Sequence, residues 1–271
     1  MLGETKTTGR AARRSYLSAG GRRLGTVFLL VLVVVGSACR TAPITGRRTV
    51  NLFSVGQELE MGRTAFAEVR NESKLVTRGR DHDMVQRVMD RIVAVSDNRE
   101  DYEWEVELID ADDTVNAFAL PGGKMAVYTG ILPVCRDDTG LAVVIGHEIG
   151  HVVASHGTER VTQNLGAEVL LQLLNLGDYQ ALGQAALQYG ALLPFGRTQE
   201  SEADEIGLIY MARAGYDPRE AVAFWSRMNE LTQGGGGPEF LSTHPSHETR
   251  VQRLQAKMPA ALEVWRAAGG R

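Results

Sequence analysis

The sequence predicts a mainly helical α+β fold with a small antiparallel sheet, and three patterns support this fold class. Apolar residues from Val85 to Ile92 recur at the i, i+3, i+4 and i+7 positions that form one buried face of a helix. From Glu103 to Leu108, acidic and apolar residues alternate, which is typical of a half-buried strand. The turn signal Pro121-Gly122-Gly123 separates two further strand-like stretches, so a hairpin is expected there.

The 271 residues divide into a lipoprotein-like signal peptide, an extended tether, one folded domain and a short tail, predicted at residues 1–38, 39–53, 54–258 and 259–271 respectively. The domain begins where Ser54 and Gln57 form a capping box that opens its first helix. Its last helix is expected to stop at Pro259, because proline cannot supply the next backbone hydrogen bond.

The first segment has the composition of an export signal. It carries six Lys and Arg residues against one Glu, whereas the whole chain has a formal net charge of −4, so the rest of the chain is acidic. An acidic body of this kind argues against nucleic acid as a partner. The apolar run from Leu24 to Val35 is shorter than the roughly 20 residues of a membrane-spanning helix, and small residues follow it.

Cys39 stands directly after these small residues, where a bacterial lipoprotein signal has the cysteine that becomes lipidated. The alternative is an uncleaved signal anchor in which Cys39 has no role, and the sequence leaves both open. In either case the chain is expected in the cell envelope, facing the periplasm and attached to the inner or the outer membrane.

The motif His-Glu-Ile-Gly-His at residues 147–151 lies in an apolar, helix-compatible stretch that Asp137 can cap. Residues four apart lie one turn above each other on a helix, so His147 and His151 project from one face and can bind one metal ion. Glu148 adjoins the first of these histidines, where a carboxylate can take a proton from an attacking water. The pattern predicts a catalytic zinc site with Glu148 as general base.

A catalytic zinc site needs a third protein ligand, and an acidic stretch later in the chain can supply it. Glu200 and Asp204 share one helix face, whereas Glu202 points away from that face. One of the sharing pair can bind the metal and the other can accept the spare ring N–H of a ligand histidine. The spacing alone leaves open which residue has which role. His156, five residues beyond the first motif, is expected off the metal face, with a structural or supporting role.

Between the two motifs, residues 161–196 contain only two charged side chains and form an apolar insert. The pattern predicts two helical pieces, Leu165–Leu176 and Ala181–Leu193, with a break at Gly177. Such an insert can pack over the motif helix as part of the core, or it can form a mobile lid or a surface that leans on the membrane.

Three motifs carry a resemblance to a known family: H-E-x-x-H at 147–151, E-x-E-A-D at 200–204 and T-H-P at 243–245. They resemble those of the HtpX/BepA-like zinc metalloproteases of peptidase family M48, in an exported lipoprotein form, and the match covers about residues 54–258. The resemblance implies a zincin-like metalloprotease domain that binds one Zn²⁺ per chain. Glu200 then matches the third zinc ligand, and Asp204 matches the residue that orients a ligand histidine, His147.

The same resemblance implies roles for two further regions. Asn116, Ala117 and Phe118 match the family's edge strand beside the catalytic cleft, where an extended substrate is expected to add as a further strand. His244 acts either as a catalytic donor to the reaction oxyanion or as a fourth zinc ligand that keeps the enzyme latent. Arg250 is expected to hold the loop of His244 or to contact the cleft.

These features together predict a zinc-dependent metalloendopeptidase that hydrolyses misfolded or misassembled cell-envelope proteins. The alternative function is a periplasmic chaperone or assembly factor with a latent zinc site. The expected partners are unfolded or misassembled substrates, the membrane through an N-terminal lipid or anchor, and a separate repeat protein, since no repeat is visible in this chain.

Overall fold

Helices and one mixed sheet make up most of the chain in the computed structural model, which describes residues 39–234, 238–245 and 249–270. The predicted mainly helical α+β fold is confirmed. The predicted signal peptide at 1–38 lies outside the described residues. Within the described ranges, no helix combines the length and the apolar character needed to cross a membrane.

The strands are, in chain order, β1 (Cys39–Thr41), β2 (Arg48–Val50), β3 (Leu75–Val76), β4 (Glu105–Ile109), β5 (Ala117–Leu120) and β6 (Lys124–Tyr128). The helices before the second motif are α1 (Val55–Glu72), α2 (Arg80–Val93), α3 (Leu132–Cys135), α4 (Asp138–Val153), α5 (His156–Leu176), α6 (Tyr179–Ala185) and a π-helical turn (Ala186–Ala191). The later helices are α7 (Arg197–Arg213), α8 (Glu220–Glu230), α9 (Glu239–Thr243) and α10 (Arg250–Ala267).

The main sheet has the strand order β3-β4-β6-β5, which leaves β5 at one edge. The predicted hairpin is present, because β5 and β6 pair antiparallel with Phe118 opposite Ala126. The expectation of a purely antiparallel sheet is corrected at one position: β4 and β6 pair in parallel, with Glu105 opposite Lys124. The chain reverses twice between these two strands, so they run in the same direction.

Helix α4 carries the H-E-x-x-H motif through the centre of the core. Asp137 caps it by accepting hydrogen bonds from the backbone N–H groups of Thr139 and Gly140. Helix α4 ends at Val153, and Ser155 has a left-handed φ of 57°. His156 therefore starts the next helix and does not continue the first.

Helices α4 and α7 pack closely where two glycines face each other. A Cβ atom added to Gly207 would lie 2.7 Å from the backbone nitrogen of His147, and one on Gly146 would lie 3.0 Å from the carbonyl oxygen of Gly207. The two backbones thus touch without intervening side chains. This contact brings the α7 residues Glu200 and Asp204 alongside the histidines of α4.

We expect Gly207→Ala to destabilise the protein by about 1–3 kcal/mol, because the added methyl overlaps the backbone of α4. This loss should exceed the roughly 1 kcal/mol that alanine gains over glycine inside a helix. Gly56→Ala is the matched control: Gly56 lies in helix α1, and its added Cβ meets nothing within 4 Å. Chemical denaturation measures both variants, and equal stability of Gly207→Ala and the natural protein would contradict the close packing.

The segment predicted as an extended tether is folded onto the body. Strands β1 and β2 pair as a two-stranded sheet, and the backbone N–H of Ala42 donates to the carbonyl of Arg47 across the turn. Arg40 donates from Nη1 to Glu58 at 2.7 Å, which ties the hairpin to α1. The ionic side chains of residues 40–47 explain why this short segment docks.

The predicted tail at 259–271 is corrected as well. Helix α10 continues through Pro259 to Ala267, and Ala261 and Trp265 are buried. The indole N–H of Trp265 donates to the carbonyl of Gly215 at 3.2 Å. Burial of these side chains offsets the hydrogen bond that proline removes, so the helix does not stop at Pro259.

The part of the apolar insert from Leu182 onward packs as core, whereas the side chains described between residues 162 and 181 are exposed or half-buried. Buried residues of α6 and the π-helical turn form one cluster with residues of α1 and the start of α5; its members are Phe53, Met61, Val161, Leu182, Ala185 and Ala186. Helix α5 is interrupted at Gly166, where φ is 73°. This packing supports the core interpretation of the insert, although the side chain of Leu176 is 71% exposed.

Candidate metal centre

Four buried side chains converge beside α4. His147, His151, Glu200 and His244 each offer one ligand atom, and these atoms all lie within 4.8 Å of one another. The Nε2 atoms of His147 and His151 are 3.0 Å apart. His244 Nδ1 lies 3.2 Å from His147 Nε2 and 3.1 Å from Glu200 Oε1. The structure thus brings together the predicted ligands of the first two motifs and adds the histidine of the third.

The chemistry of these donors fits zinc, which binds imidazole nitrogens and carboxylate oxygens and in catalytic sites has three protein ligands and a fourth, exchangeable position. Burial keeps the pKa of His151 well below its usual value, so its ring is neutral and retains a free lone pair. Burial alone would raise the pKa of Glu200, but His244, Arg250 and His147 outweigh it and hold the pKa well below normal. Glu200 is therefore a carboxylate at neutral pH.

Asp204 lies on the far side of His147, where its Oδ1 is 3.0 Å from the ring Nδ1. His147 can donate Nδ1–H to this carboxylate, which leaves its Nε2 lone pair facing the cluster. Arg250 holds Asp204 with two hydrogen bonds of 2.8 Å and reaches Glu200 with a third of 2.9 Å. The guanidinium also stacks 3.4 Å from the ring centre of Trp225, so it is fixed in place.

Glu148 is buried next to the cluster without belonging to it. Burial raises the pKa of Glu148, against the opposing effects of His244 and His147. Its Oε1 lies 3.3 Å from His244 Nε2, and within the described residues neither atom has a hydrogen-bond partner of good geometry. A buried carboxylate with a free oxygen beside a metal-binding cluster is suited to accept a proton.

His244 was expected on a loop, and the structure places it directly after α9, fully buried. Its ring stacks on Phe240 and on Phe195, with ring centres 4.4 Å and 5.2 Å apart. Burial lowers the pKa of His244, but Glu148 and Glu200 reverse this and raise it overall. Its Nδ1 faces the ligand cluster and its Nε2 faces Glu148. Arg250 also donates to its carbonyl oxygen at 3.4 Å, as expected for a residue that holds this loop.

His156 has a closer relation to the centre than its position in the sequence indicated. Its Nδ1 lies 2.8 Å from Nδ1 of His151, and its Nε2 lies 2.9 Å from Glu202. A continuous helix would have turned His156 away, but the break at Ser155 returns it to the ligand. Glu202 points away from the cluster, as its helix position predicted.

The residues expected at the substrate edge lie on and next to β5. Strand β5 is the edge strand, yet Ala117 to Leu120 are all buried. Phe118 and Leu120 pack in one cluster with Ala191 of the π-helical turn, which lies next to β5. Asn116 is buried before the strand, and its side-chain amide donates to Glu239 at 3.3 Å. The side chains of β5 are therefore buried, while the strand keeps its position at the edge of the sheet.

Residues 80–258 match the sequence profile of Peptidase family M48. The chain is 40% identical to the mitochondrial metalloendopeptidase OMA1 of Schizosaccharomyces pombe, across 81% of this chain and 66% of that protein. It is 31% identical to the mitochondrial metalloendopeptidase OMA1 of Homo sapiens, across 89% of this chain and 50% of that protein. The beta-barrel assembly-enhancing protease of Escherichia coli matches at 26%, across 78% of this chain and 46% of that protein. The chain thus spans about half to two thirds of these relatives.

The comparisons correct the predicted location of the protein and confirm its predicted family without the lipoprotein form. The prediction of a periplasm-facing location in the cell envelope is wrong, because the relatives with the higher identities bear mitochondrial names. The resemblance to peptidase family M48 is confirmed. The names of these relatives give no support for an exported lipoprotein form. The prediction was based on the basic, acid-poor composition of residues 1–38 and on Cys39, and secretory signals share such a composition with mitochondrial transit peptides.

Proposed function

The chain belongs to peptidase family M48, and from this premise we propose that it is a zinc-dependent metalloendopeptidase acting on misfolded or misassembled proteins. The observation that carries the proposal is the convergence of His147, His151, Glu200 and His244 next to the buried carboxylate of Glu148. Relatives named as metalloendopeptidases support the same reaction. They do not favour the alternative of a chaperone with a latent zinc site.

Each residue has a separate task in this reaction. His147, His151 and Glu200 would hold the zinc ion, which when bound would supply a Lewis acid for the scissile carbonyl. Glu148 takes the proton of the attacking water and passes it to the leaving amine. Asp204 keeps the proton of His147 on Nδ1, so that Nε2 faces the cluster. Arg250 balances the charges of Glu200 and Asp204, whose carboxylates are largely buried.

The substrate class follows from the edge strand. A peptide that pairs with β5 is held mainly by backbone hydrogen bonds, and these give affinity with little dependence on side chains. This mode of binding suits unfolded chains of many sequences, as protein quality control requires. The mitochondrial names of the relatives support a mitochondrial setting for such substrates.

Removal of the metal tests the reaction. We expect the purified chain to cleave casein, an unfolded substrate, and to lose this activity after treatment with 1,10-phenanthroline, because the cluster supplies the Lewis acid only when zinc is bound. Addition of Zn²⁺ should restore cleavage, whereas Mg²⁺ should not, since imidazole ligands suit zinc and not magnesium. Casein cleavage that persists after complete removal of the metal would contradict the proposal.

The geometry further supports a latent state, because His244 Nδ1 lies 3.2 Å from His147 Nε2 and 3.1 Å from Glu200 Oε1, where it can serve as a fourth ligand. We expect His244→Ala to increase casein cleavage several-fold, since it frees the fourth position while three ligands remain. The matched control is His82→Ala, which removes a histidine outside the cluster whose ring nitrogen Nδ1 lies 3.1 Å from Asp83. A loss of activity in His244→Ala would instead identify His244 as the oxyanion donor.

Attachment and partners complete the proposal. A membrane anchor in residues 1–38 or a lipid on Cys39 would attach the chain to a membrane, and a separate repeat protein would present substrates. The basic and apolar composition of residues 1–38 supports the attachment. Mass spectrometry of the mature N-terminus distinguishes an intact anchor from a lipidated Cys39.

A further inference from the structure

The ring of His151 is held from both sides. Its Nε2 faces the cluster, 3.0 Å from His147 Nε2 and 3.3 Å from Glu200 Oε1. Its Nδ1 lies 2.8 Å from Nδ1 of His156. A nitrogen–nitrogen distance this short requires one proton between the two rings, because two lone pairs or two N–H groups would repel each other.

Glu202 decides which ring carries that proton. Its Oε2 lies 2.9 Å from Nε2 of His156, and a carboxylate can only accept. His156 therefore carries its proton on Nε2, its Nδ1 accepts, and His151 donates from Nδ1. The remaining lone pair of His151 lies on Nε2 and faces the cluster.

Glu202 is in turn held by the N-terminal hairpin, defined as residues 39–50. Arg47 Nε and the hydroxyl of Thr45 both donate to its carboxylate. Together with Nε2 of His156, these donors surround the carboxylate of Glu202, so both of its oxygens act as acceptors.

Arg47 also has a second anchor, so its position is fixed in two directions. Its Nη1 and Nη2 atoms lie 3.3 Å and 3.2 Å from the carboxylate of Glu159. Glu159 accepts a further hydrogen bond of 3.0 Å from Gln199, the residue before Glu200. The hairpin thereby connects to α5 and to the first turn of α7.

We propose that Arg47 and Glu202 are positioning residues that hold the zinc ligand His151 in its metal-binding tautomer through His156. This inference rests on the proposed zinc site. It implies that zinc affinity also depends on the N-terminal hairpin. Partners of ligand histidines typically change metal affinity 10–100-fold when removed. Loss of Arg47 should therefore weaken zinc binding although Arg47 does not touch the cluster.

The competing explanation is that the hairpin only stabilises the fold. Arg40 separates the two explanations because it lies on the same hairpin and its side chain is 27% exposed, against 24% for Arg47. Arg40 also docks the hairpin, but it donates to Glu58, to the hydroxyl of Ser155 and to the carbonyl of Phe53, and among the described residues it has no hydrogen bond to Glu202 or to the ring of His156. A purely structural role of the hairpin would give both arginines the same effect.

The experiment measures zinc affinity in the full chain by competition with a chromogenic chelator. We expect Arg47→Ala to weaken zinc binding about tenfold and Glu202→Ala by 10–100-fold. Arg40→Ala should stay within about twofold, as is typical of a partly exposed ion pair. Arg47→Lys should recover part of the loss, because a lysine can still donate to Glu202. Equal affinities of Arg47→Ala and Arg40→Ala would overturn the proposal.

A second measurement reports on how His151 coordinates the metal. In the cobalt(II)-substituted protein, the visible absorption bands should shift in Arg47→Ala and stay unchanged in Arg40→Ala. Thermal unfolding of the metal-free forms shows whether each variant folds. If Glu202→Ala does not fold, the partly exposed Arg47→Ala decides the matter. A natural chain that binds no zinc would overturn the proposed function itself, whereas zinc binding that is unchanged in Arg47→Ala would overturn only this inference.

Discussion

Glu148→Gln should abolish casein cleavage while the protein keeps its zinc. The amide has the same shape as the carboxylate but cannot accept the proton of the attacking water, so the loss in kcat should reach roughly 10²–10⁴-fold. Zinc should remain, because Glu148 is not among the four side chains whose ligand atoms converge. Cleavage of fluorescent casein and atomic absorption of the same sample measure the two properties together.

Glu60→Gln provides the matched control for this substitution. Glu60 lies on the exposed face of α1 and pairs with Arg63, so loss of its charge should leave both zinc content and cleavage unchanged. Retained cleavage in Glu148→Gln would remove Glu148 from the role of general base. Loss of zinc in the same variant would instead make Glu148 a ligand, which also contradicts the assignment.

Glu200→Gln should lose zinc. The substitution replaces an anionic oxygen of the cluster with a neutral amide, and it takes away one partner of the buried Arg250. We expect zinc affinity to fall by roughly 100-fold or more, since removal of a partner outside the cluster already causes 10–100-fold losses. Casein cleavage should fall in parallel at limiting zinc. Isothermal titration of the metal-free protein with Zn²⁺ gives the affinity.

The control for Glu200→Gln lies on the same helix. Glu205 is near the surface and pairs with Lys257, so Glu205→Gln should bind zinc as the natural protein does. Unchanged zinc affinity in Glu200→Gln would show that the three histidines suffice, and the third ligand assigned from the E-x-E-A-D motif would then be wrong.

The local part of the site could be predicted from the sequence. His147 and His151 lie four residues apart within one helix, so their common face follows from helix geometry alone. The shared face of Glu200 and Asp204 follows in the same way. Which of Glu200 and Asp204 joins the cluster does not follow from helix geometry, because it depends on how α7 crosses α4. The structure has Glu200 in the cluster and Asp204 behind His147.

The remaining errors concern contacts between distant parts of the chain. Residues 39–53 have little periodicity, and only the position of Glu202 and Glu159 in space explains why Arg47 docks there. Pro259 signals a helix end locally, but burial of Trp265 extends the helix. The role of His156 depends on one left-handed residue, Ser155, which no pattern in the sequence indicated.

The contact between Gly146 and Gly207 also has an entropic consequence. Because the backbones of α4 and α7 meet directly, the separation of their ligand-bearing positions does not depend on the rotamer of any intervening side chain. Two rigid helices in contact have little conformational freedom left to lose when an ion binds. The conformational entropy of these two helices is therefore lost during folding and not during metal binding, so the backbone positions of the ligands are preorganised for the ion.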